Sequence, residues 1–230
     1  MMRNRRGRIQ RSAAAWDDVG TEPAVLAALL FAWLQTTAPL WESKTAAEST
    51  DEELAVLLTS SPWAQMHQLS LPAAKGAPSG GFANPAVHLF LATATPVREA
   101  ERELRRRKIQ ASADPESASH SEFEEFLEAN PGRYIVLAVR VLRPELLERP
   151  SAVRKMEQES RLKIGSRNYE LVGYFLPTRD DPYLRLIFPR EVREADTELR
   201  FELYLPGVPL PFRTVRFELD KLAWRGRPEY

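Results

Sequence analysis

Cysteine is absent from the 230 residues of this sequence. That absence excludes a disulfide framework, a zinc site built on thiolates and a cysteine nucleophile. It also excludes the lipid attachment that bacterial lipoproteins receive at a cysteine. It does not identify the compartment, because exported proteins can fold without disulfides.

A net charge is missing as well, since 32 Lys and Arg residues balance 32 Asp and Glu residues. The charge of the whole chain therefore favours neither nucleic acid nor an anionic membrane, and we predict no nucleic-acid partner. Histidine is scarce: His67, His88 and His120 lie in separate segments, without the close spacing of metal ligands. The sequence contains no GxSxG, GxxxxGK[ST] or GxGxxG motif. We therefore predict no catalytic residue, no cofactor and no metal.

Long apolar runs are also few. The block AVLAALLFAWL at 24–34 follows five arginines in residues 1–11. It is shorter than the about 20 apolar residues of a membrane span, but it has the length of the apolar core of a signal peptide. A buried or amphipathic helix is the alternative, although this block lacks a polar face. We predict a signal peptide or amino-terminal anchor with a linker over 1–48, no other spanning segment, and one folded domain over 49–230.

Helix-capping patterns organise the first half of that domain. Thr50–Glu53 and 121–124 both match a capping box, and Thr95 followed by Pro96 is typical of a helix start. These patterns predict helices over 51–59, 96–108 and 122–129, and a fourth short helix is expected around 151–158. Pro62 ends the first helix, so we expect Trp63 to be buried on the core; a tryptophan that stacks on a ligand is the alternative.

Strand patterns dominate the second half, residues 133–230. Alternating apolar and polar residues predict strands over 133–141, 160–164, 169–176, 183–188, 198–205 and 212–219. Shorter strands are expected within 66–72 and 87–95. No helix between the later strands is long enough for a parallel crossover. We therefore predict an α+β fold: an antiparallel β-sandwich or strongly twisted antiparallel sheet with a few short flanking helices, in which Phe201 and Phe217 are buried.

The strongest charged cluster lies between Arg98 and Lys108, with six bases and three acids. Arg102, Arg105 and Arg106 are, with Trp63, the candidate binding residues, and the cluster is a candidate contact for phosphate or an anionic surface. The alternative is a solvated helix end in which Glu101 pairs with Arg105 and Glu103 with Arg107.

Two other acidic stretches have structural interpretations that we favour. Thr178–Pro182 contains adjacent aspartates, which can bind calcium, but the stretch is typical of a solvated hairpin turn. The glutamates at 122, 124, 125 and 128 could serve as acid/base groups, but a charge-rich helix face accounts for them. We expect Tyr169, Tyr174, Tyr183 and Tyr204 to be half-buried or at the surface, where aromatics can contact a partner.

Three short motifs stand out: Ser61-Pro62-Trp63-Ala64, the helix start at 96–100 and Phe188-Pro189-Arg190. Together with the segments around them, over about residues 50–224, they resemble an uncharacterised family of exported bacterial proteins that is best represented in Acidobacteria. The chain departs from that family in its long arginine-rich leader, which also contains acidic residues. The resemblance implies an exported, periplasmic or envelope-associated protein and brings no activity with it. We expect a non-enzymatic module that binds an envelope protein or a glycan; a carboxylate-dependent hydrolase of the envelope is the alternative.

Overall fold

The computed structural model describes residues 39–68, 86–111, 122–208 and 211–230, all within one compact unit that begins at Pro39. The predicted signal peptide or anchor lies outside the described residues. The α-helices are α1 (Leu40–Ser43), α2 (Asp51–Ser60), α3 (Thr95–Ala111), α4 (Glu122–Ala129) and α5 (Pro150–Glu159). Short 3-10 turns occupy Ala46–Glu48, Pro144–Glu148 and Leu219–Lys221. No helix in these ranges is both long and apolar enough to cross a membrane.

The start of α2 follows directly from its sequence. The Thr50 amide donates to the Glu53 carboxylate at 2.8 Å, and the Glu53 amide donates to the Thr50 hydroxyl at 3.2 Å. This reciprocal pair satisfies two amides that a helix start otherwise leaves without partners. Three leucines at helical spacing, Leu54, Leu57 and Leu58, face the core. The helix ends at Ser60, just before Pro62, as predicted.

Eleven strands form antiparallel sheets in the described residues. They are β1 (Ala64–Gln68), β2 (Ala86–Leu91), β3 (Tyr134–Arg140), β4 (Arg161–Ile164), β5 (Arg167–Glu170), β6 (Gly173–Phe175), β7 (Tyr183–Pro189), β8 (Glu198–Tyr204), β9 (Phe212–Glu218), β10 (Ala223–Trp224) and β11 (Arg227–Pro228). One sheet has the order β1-β2-β3-β7-β6, a second has the order β5-β4-β8-β9, and β10 pairs with β11.

The five-stranded sheet is the central layer. Residues 135–139 of β3 and 184–188 of β7 are all buried, which means that both faces of these strands are covered. The four-stranded sheet packs on one face, where the rings of Phe188 and Phe201 lie 5.5 Å apart. On the other face, His88 contacts the Leu58 carbonyl of α2, and Arg185 pairs with Glu101 of α3.

The predicted fold class is confirmed: an α+β fold with antiparallel sheets and short helices. Trp63, Phe201 and Phe217 are buried, as expected. The predicted strand over 169–176 is two strands, β5 and β6, in different sheets. The β-rich half does not build the sheets alone, because β1 and β2 from the first half join the larger one.

Residues 39–48, the described part of the predicted leader and linker, pack against the domain. Trp41 in α1 meets Trp63 edge-on, with ring centroids 5.9 Å apart. The Arg107 guanidinium donates to the carbonyl of Ser49 at 2.8 Å, and its contacts with the preceding turn are longer. The apolar contact of Trp41 and the charge-assisted hydrogen bonds from Arg107 hold this segment on the domain, and a linker makes neither kind of contact.

Candidate functional site

Trp63 is a structural anchor at the junction of α2 and β1. Its side chain is fully buried, and its indole N–H donates to the Glu229 backbone carbonyl at 2.7 Å. The Glu229 carboxylate in turn accepts from the amide and the hydroxyl of Thr95 at the start of α3. Because the ring has no open face, Trp63 is not positioned to stack on a ligand.

The predicted arginine cluster on α3 forms ion pairs within the protein. Arg105 pairs with Glu124 at 2.9 Å, and the more exposed Arg102 lies 3.8 Å from the same glutamate. Arg106 pairs with Glu103 at 2.5 Å, and Arg107 joins that carboxylate at 2.7 Å. The structure thus supports the interpretation of this cluster as a charge-balanced helix surface.

These contacts also affect titration. Hydrogen bonds from Arg106 and Arg107 lower the pKa of Glu103 to about 2. The Glu103–Arg107 pair is the one expected from i, i+4 spacing. The predicted Glu101–Arg105 pair is wrong, because Glu101 points beneath the helix to Arg185 while Arg105 reaches Glu124 on α4.

Arg185 is the largest charged side chain that is fully buried in the described residues, and only 1% of it is exposed. It pairs with Glu101 at 2.8 Å and with Asp181 at 2.7 Å, and its guanidinium lies 4.0 Å from the centre of the Phe123 ring. Burial alone would lower the pKa of Arg185, but the two carboxylates outweigh burial and raise it. The two acids converge on one guanidinium, which pairs with both carboxylates and fixes their positions.

The turn predicted at Thr178–Pro182 exists, but it is not simply solvated. The Thr178 amide donates to the Asp181 carbonyl at 2.7 Å, which closes the turn. The Asp181 side chain then points inward to Arg185. The sequence offered no signal for this inward direction, because Arg185 lies on the apolar strand β7, where the pattern predicts core residues.

The histidines that the structure describes do not form a site. His88 is buried and bonds the Leu58 carbonyl, and burial lowers its pKa. His67 bonds the Gln65 side chain at 3.0 Å, and partial burial lowers its pKa as well. His120 lies outside the described residues. Within the described ranges, no group of three or more His, Asp or Glu side chains could hold a metal ion.

Two clefts occur on the helical side. One lies between α1, α2, α3 and the β10–β11 ribbon, and its walls include Trp41, Glu99 and Trp224. The other lies between α3 and α4 and includes Arg98, Phe123 and Glu124. Each has a cavity volume of about 10 Å³, which is room for about one water molecule, so neither cleft can take a sizeable substrate.

The outer face of the four-stranded sheet is an open surface built from regular elements. Alternation places Leu199, Phe201 and Leu203 toward the core and the intervening residues outward. Every outward residue of its four strands is exposed or half-buried. We call this surface the outer face; its residues are Arg161, Lys163, Asn168, Glu170, Glu198, Arg200, Glu202, Tyr204, Phe212, Thr214, Arg216 and Glu218.

Strand register arranges the outer face in rows that cross the strands. One row aligns three cations, because Lys163 lies opposite Arg200 and Arg200 lies opposite Arg216. Glu202 pairs with Lys163 at 2.8 Å, and Glu198 pairs with Arg200 at 2.6 Å, so acids flank this row on both sides. No acidic side chain among the described residues forms an ion pair with Arg216.

An aromatic pair occupies one end of the outer face. Phe212 is 56% exposed, the largest exposed fraction of any large hydrophobic side chain in the described residues. Its ring meets that of Tyr204 at 5.1 Å, and the Lys155 ammonium of α5 lies 4.7 Å from the Tyr204 ring centre. Tyr169, Tyr174 and Tyr183 are half-buried elsewhere, so Tyr204 is the one expected tyrosine that the structure brings to this surface.

The edge strand β9 borders this face. The Leu205 amide donates to the Pro211 carbonyl at 2.8 Å, which sets the hydrogen-bond phase of the β8–β9 pair. Backbone groups of Val215 and Phe217 therefore point toward β8, whereas those of Thr214 and Arg216 point away from the sheet. The Gln65 side chain of β1 donates to the Arg216 carbonyl at 2.5 Å, so β1 covers part of this edge.

Sequence reasoning missed Phe212 and Arg216 as candidate residues. The signal was available, since Val215 and Phe217 mark the buried face of β9 and Phe212 has the opposite parity. A phenylalanine on the polar side of an alternating strand is the feature that indicates a candidate binding residue.

Comparisons with protein-family models, with curated proteins and with solved structures find no match to this chain.

Proposed function

We propose that this protein is a non-enzymatic interaction module that binds its partner through the outer face. The exposure of Phe212 is the observation that carries this proposal. An aromatic ring with more than half of its surface in water costs solvation free energy, and aromatic and arginine side chains are enriched where proteins bind one another. Phe212 and Arg216 both belong to these types and lie on the same side of one strand.

The chemistry of the described residues supports binding over catalysis. Catalytic sites need a nucleophile, base or acid that can exchange protons with a substrate in a concave site. The carboxylates of Glu101 and Asp181 are held by Arg185, and those of Glu103 and Glu124 are held by α3 arginines. A carboxylate-dependent hydrolase stays the alternative, to be tested by turnover of ester, peptide and glycoside panels.

We also propose that the module acts outside the cytoplasm, in the periplasm or at the cell envelope. The apolar block at 24–34 behind five arginines supports this location, as does the resemblance to an exported bacterial family. Mass spectrometry of the protein from its native cells tests the location. A cytosolic species that still begins at Met1 or Met2 would contradict export.

Photo-crosslinking tests the binding surface. A photoreactive phenylalanine analogue is introduced at Phe212 and, as a matched control, at Val56, which is 49% exposed on α2. We expect a discrete crosslinked partner from position 212 and none from position 56 when both proteins are expressed in native cells. Equal crosslinking at the two positions, or none at 212 together with hydrolytic turnover, would refute the proposal.

A further inference from the structure

We infer that the partner bound at the outer face is an acidic, extended protein segment whose carboxylate pairs with Arg216 while an apolar side chain packs on Phe212. This inference rests on the proposed function and specifies the chemistry of the partner. It follows from the charges of neighbouring strands, from the spacing along β9 and from the charge balance of the whole face.

Arg216 lies directly opposite a like charge. Arg200 and Arg216 are Cα partners in the register of β8 and β9. The hydrogen-bond phase makes them a pair without mutual backbone bonds, in which side chains approach most closely. Like charges in this position destabilise a sheet. Glu198 neutralises Arg200, but Arg216 has no acidic partner among the described residues, so a carboxylate from outside would relieve the repulsion.

The spacing along β9 sets a second requirement. Phe212, Thr214 and Arg216 point to the same side, and four residues of an extended strand span about 13 Å. An extended segment lying along β9 matches this distance when its apolar and acidic residues are four positions apart. The hydroxyl of Thr214 lies between the two ends of this stripe and can bond a backbone or side-chain group.

The balance of charges on the outer face excludes a densely charged partner. Four bases, Arg161, Lys163, Arg200 and Arg216, are balanced by four acids, Glu170, Glu198, Glu202 and Glu218. A nucleic acid or an anionic membrane would meet these carboxylates and be repelled. A segment with one carboxylate at the correct distance from an apolar side chain avoids that repulsion, so the surface favours a protein segment over a polyanion.

Peptide display on the full chain tests this inference. Random peptides of about nine residues, long enough to span the stripe in extended form, are selected on wild type, on Arg216→Glu and on Arg227→Glu. Arg227 is an exposed arginine of β11 and provides the matched control. Circular dichroism and thermal unfolding confirm that each variant is folded.

We expect wild type and Arg227→Glu to select peptides with Asp or Glu four positions from an aromatic or aliphatic residue. Arg216→Glu should lower the affinity for those peptides at least about tenfold, the effect of losing a central arginine contact. It should also select peptides with Lys or Arg in place of the acidic residue. Selection without an acidic preference, or a preference that survives Arg216→Glu, would overturn the inference.

Other outcomes separate this inference from the proposal on which it rests. Peptides that require Phe212 but carry no acid would leave the binding face in place and refute the acidic partner. Failure to select any peptide through this face would refute the inference, while crosslinking at position 212 would still test the proposed function. Self-association of wild type that Arg216→Glu abolishes would identify a second copy as the occupant and refute a separate acidic partner.

Discussion

Replacement of Arg185 by methionine should be among the most destabilising single substitutions in this protein. The guanidinium is 1% exposed and pairs with Glu101 and Asp181, whose side chains are 12% and 19% exposed. Methionine fills a similar volume but leaves both carboxylates largely buried without a counter-charge. Removal of one partner from a buried ion pair costs about 3–5 kcal/mol, and Arg185 also loses its contact with the face of Phe123.

This cost is large relative to the stability of a typical domain, about 5–15 kcal/mol. We expect urea unfolding followed by tryptophan fluorescence to show a free energy of unfolding lower by about 4 kcal/mol for Arg185→Met. The same change on the surface, Arg227→Met, should stay within about 0.5 kcal/mol of wild type and serves as the control.

A triple variant separates the lost charge pairing from lost packing. Arg185→Met combined with Glu101→Gln and Asp181→Asn removes all three charges, so no uncompensated carboxylate remains. We expect the triple variant to be more stable than Arg185→Met by at least about 1.5 kcal/mol. The reasoning fails if Arg185→Met costs less than about 1 kcal/mol, or if the triple variant is no more stable than the single one.

Three further predictions concern other parts of the molecule. An NMR titration should give the Glu103 carboxyl a pKa of about 2, below the ordinary 4.5. The ionised carboxylate stabilises the fold above pH 4.5, and this contribution is lost as the pH falls toward 2. Glu103→Gln should therefore lose less stability than wild type in that pH range. The same loss of unfolding free energy on acidification in wild type and in Glu103→Gln would contradict this. Trp63→Phe should lower the free energy of unfolding by about 2–3 kcal/mol in urea titrations, because the smaller ring leaves a void and a backbone carbonyl without its donor; a loss below about 0.5 kcal/mol would show that the indole bond is dispensable. Phe212→Ser should change the free energy of unfolding by no more than about 0.5 kcal/mol in urea titrations. A loss above about 2 kcal/mol would mean that Phe212 stabilises the folded protein.

Local patterns predicted much of the architecture because they depend on residues close in sequence. The capping box at Thr50 and Glu53 involves groups three positions apart, and its hydrogen bonds form as expected. The alternation of β8 and β9 identified Phe201 and Phe217 as core residues. Burial of Trp63 followed from a helix end beside an aromatic residue, a relation that also needs no knowledge of distant segments.

The same local reasoning could not assign partners across the chain. The i, i+4 spacing predicts a pair between Glu101 and Arg105. Instead, the packing of α3 on β7 brings Arg185, which is 84 positions away in sequence, within 2.8 Å of Glu101. Trp63 likewise finds the Glu229 carbonyl 166 positions away. Such pairs depend on which faces of the layers meet, and that choice comes from the combined burial of many side chains rather than from either partner.

The candidate site illustrates this division. Alternation along the strand predicts from sequence that Phe212 lies on the polar side of β9. The exposure of this side to solvent and the position of Arg216 beside Arg200 depend on the tertiary structure. Periodicity determines which residues share a face, whereas register and layer packing determine what lies opposite that face; both of these arise from contacts between segments far apart in the chain.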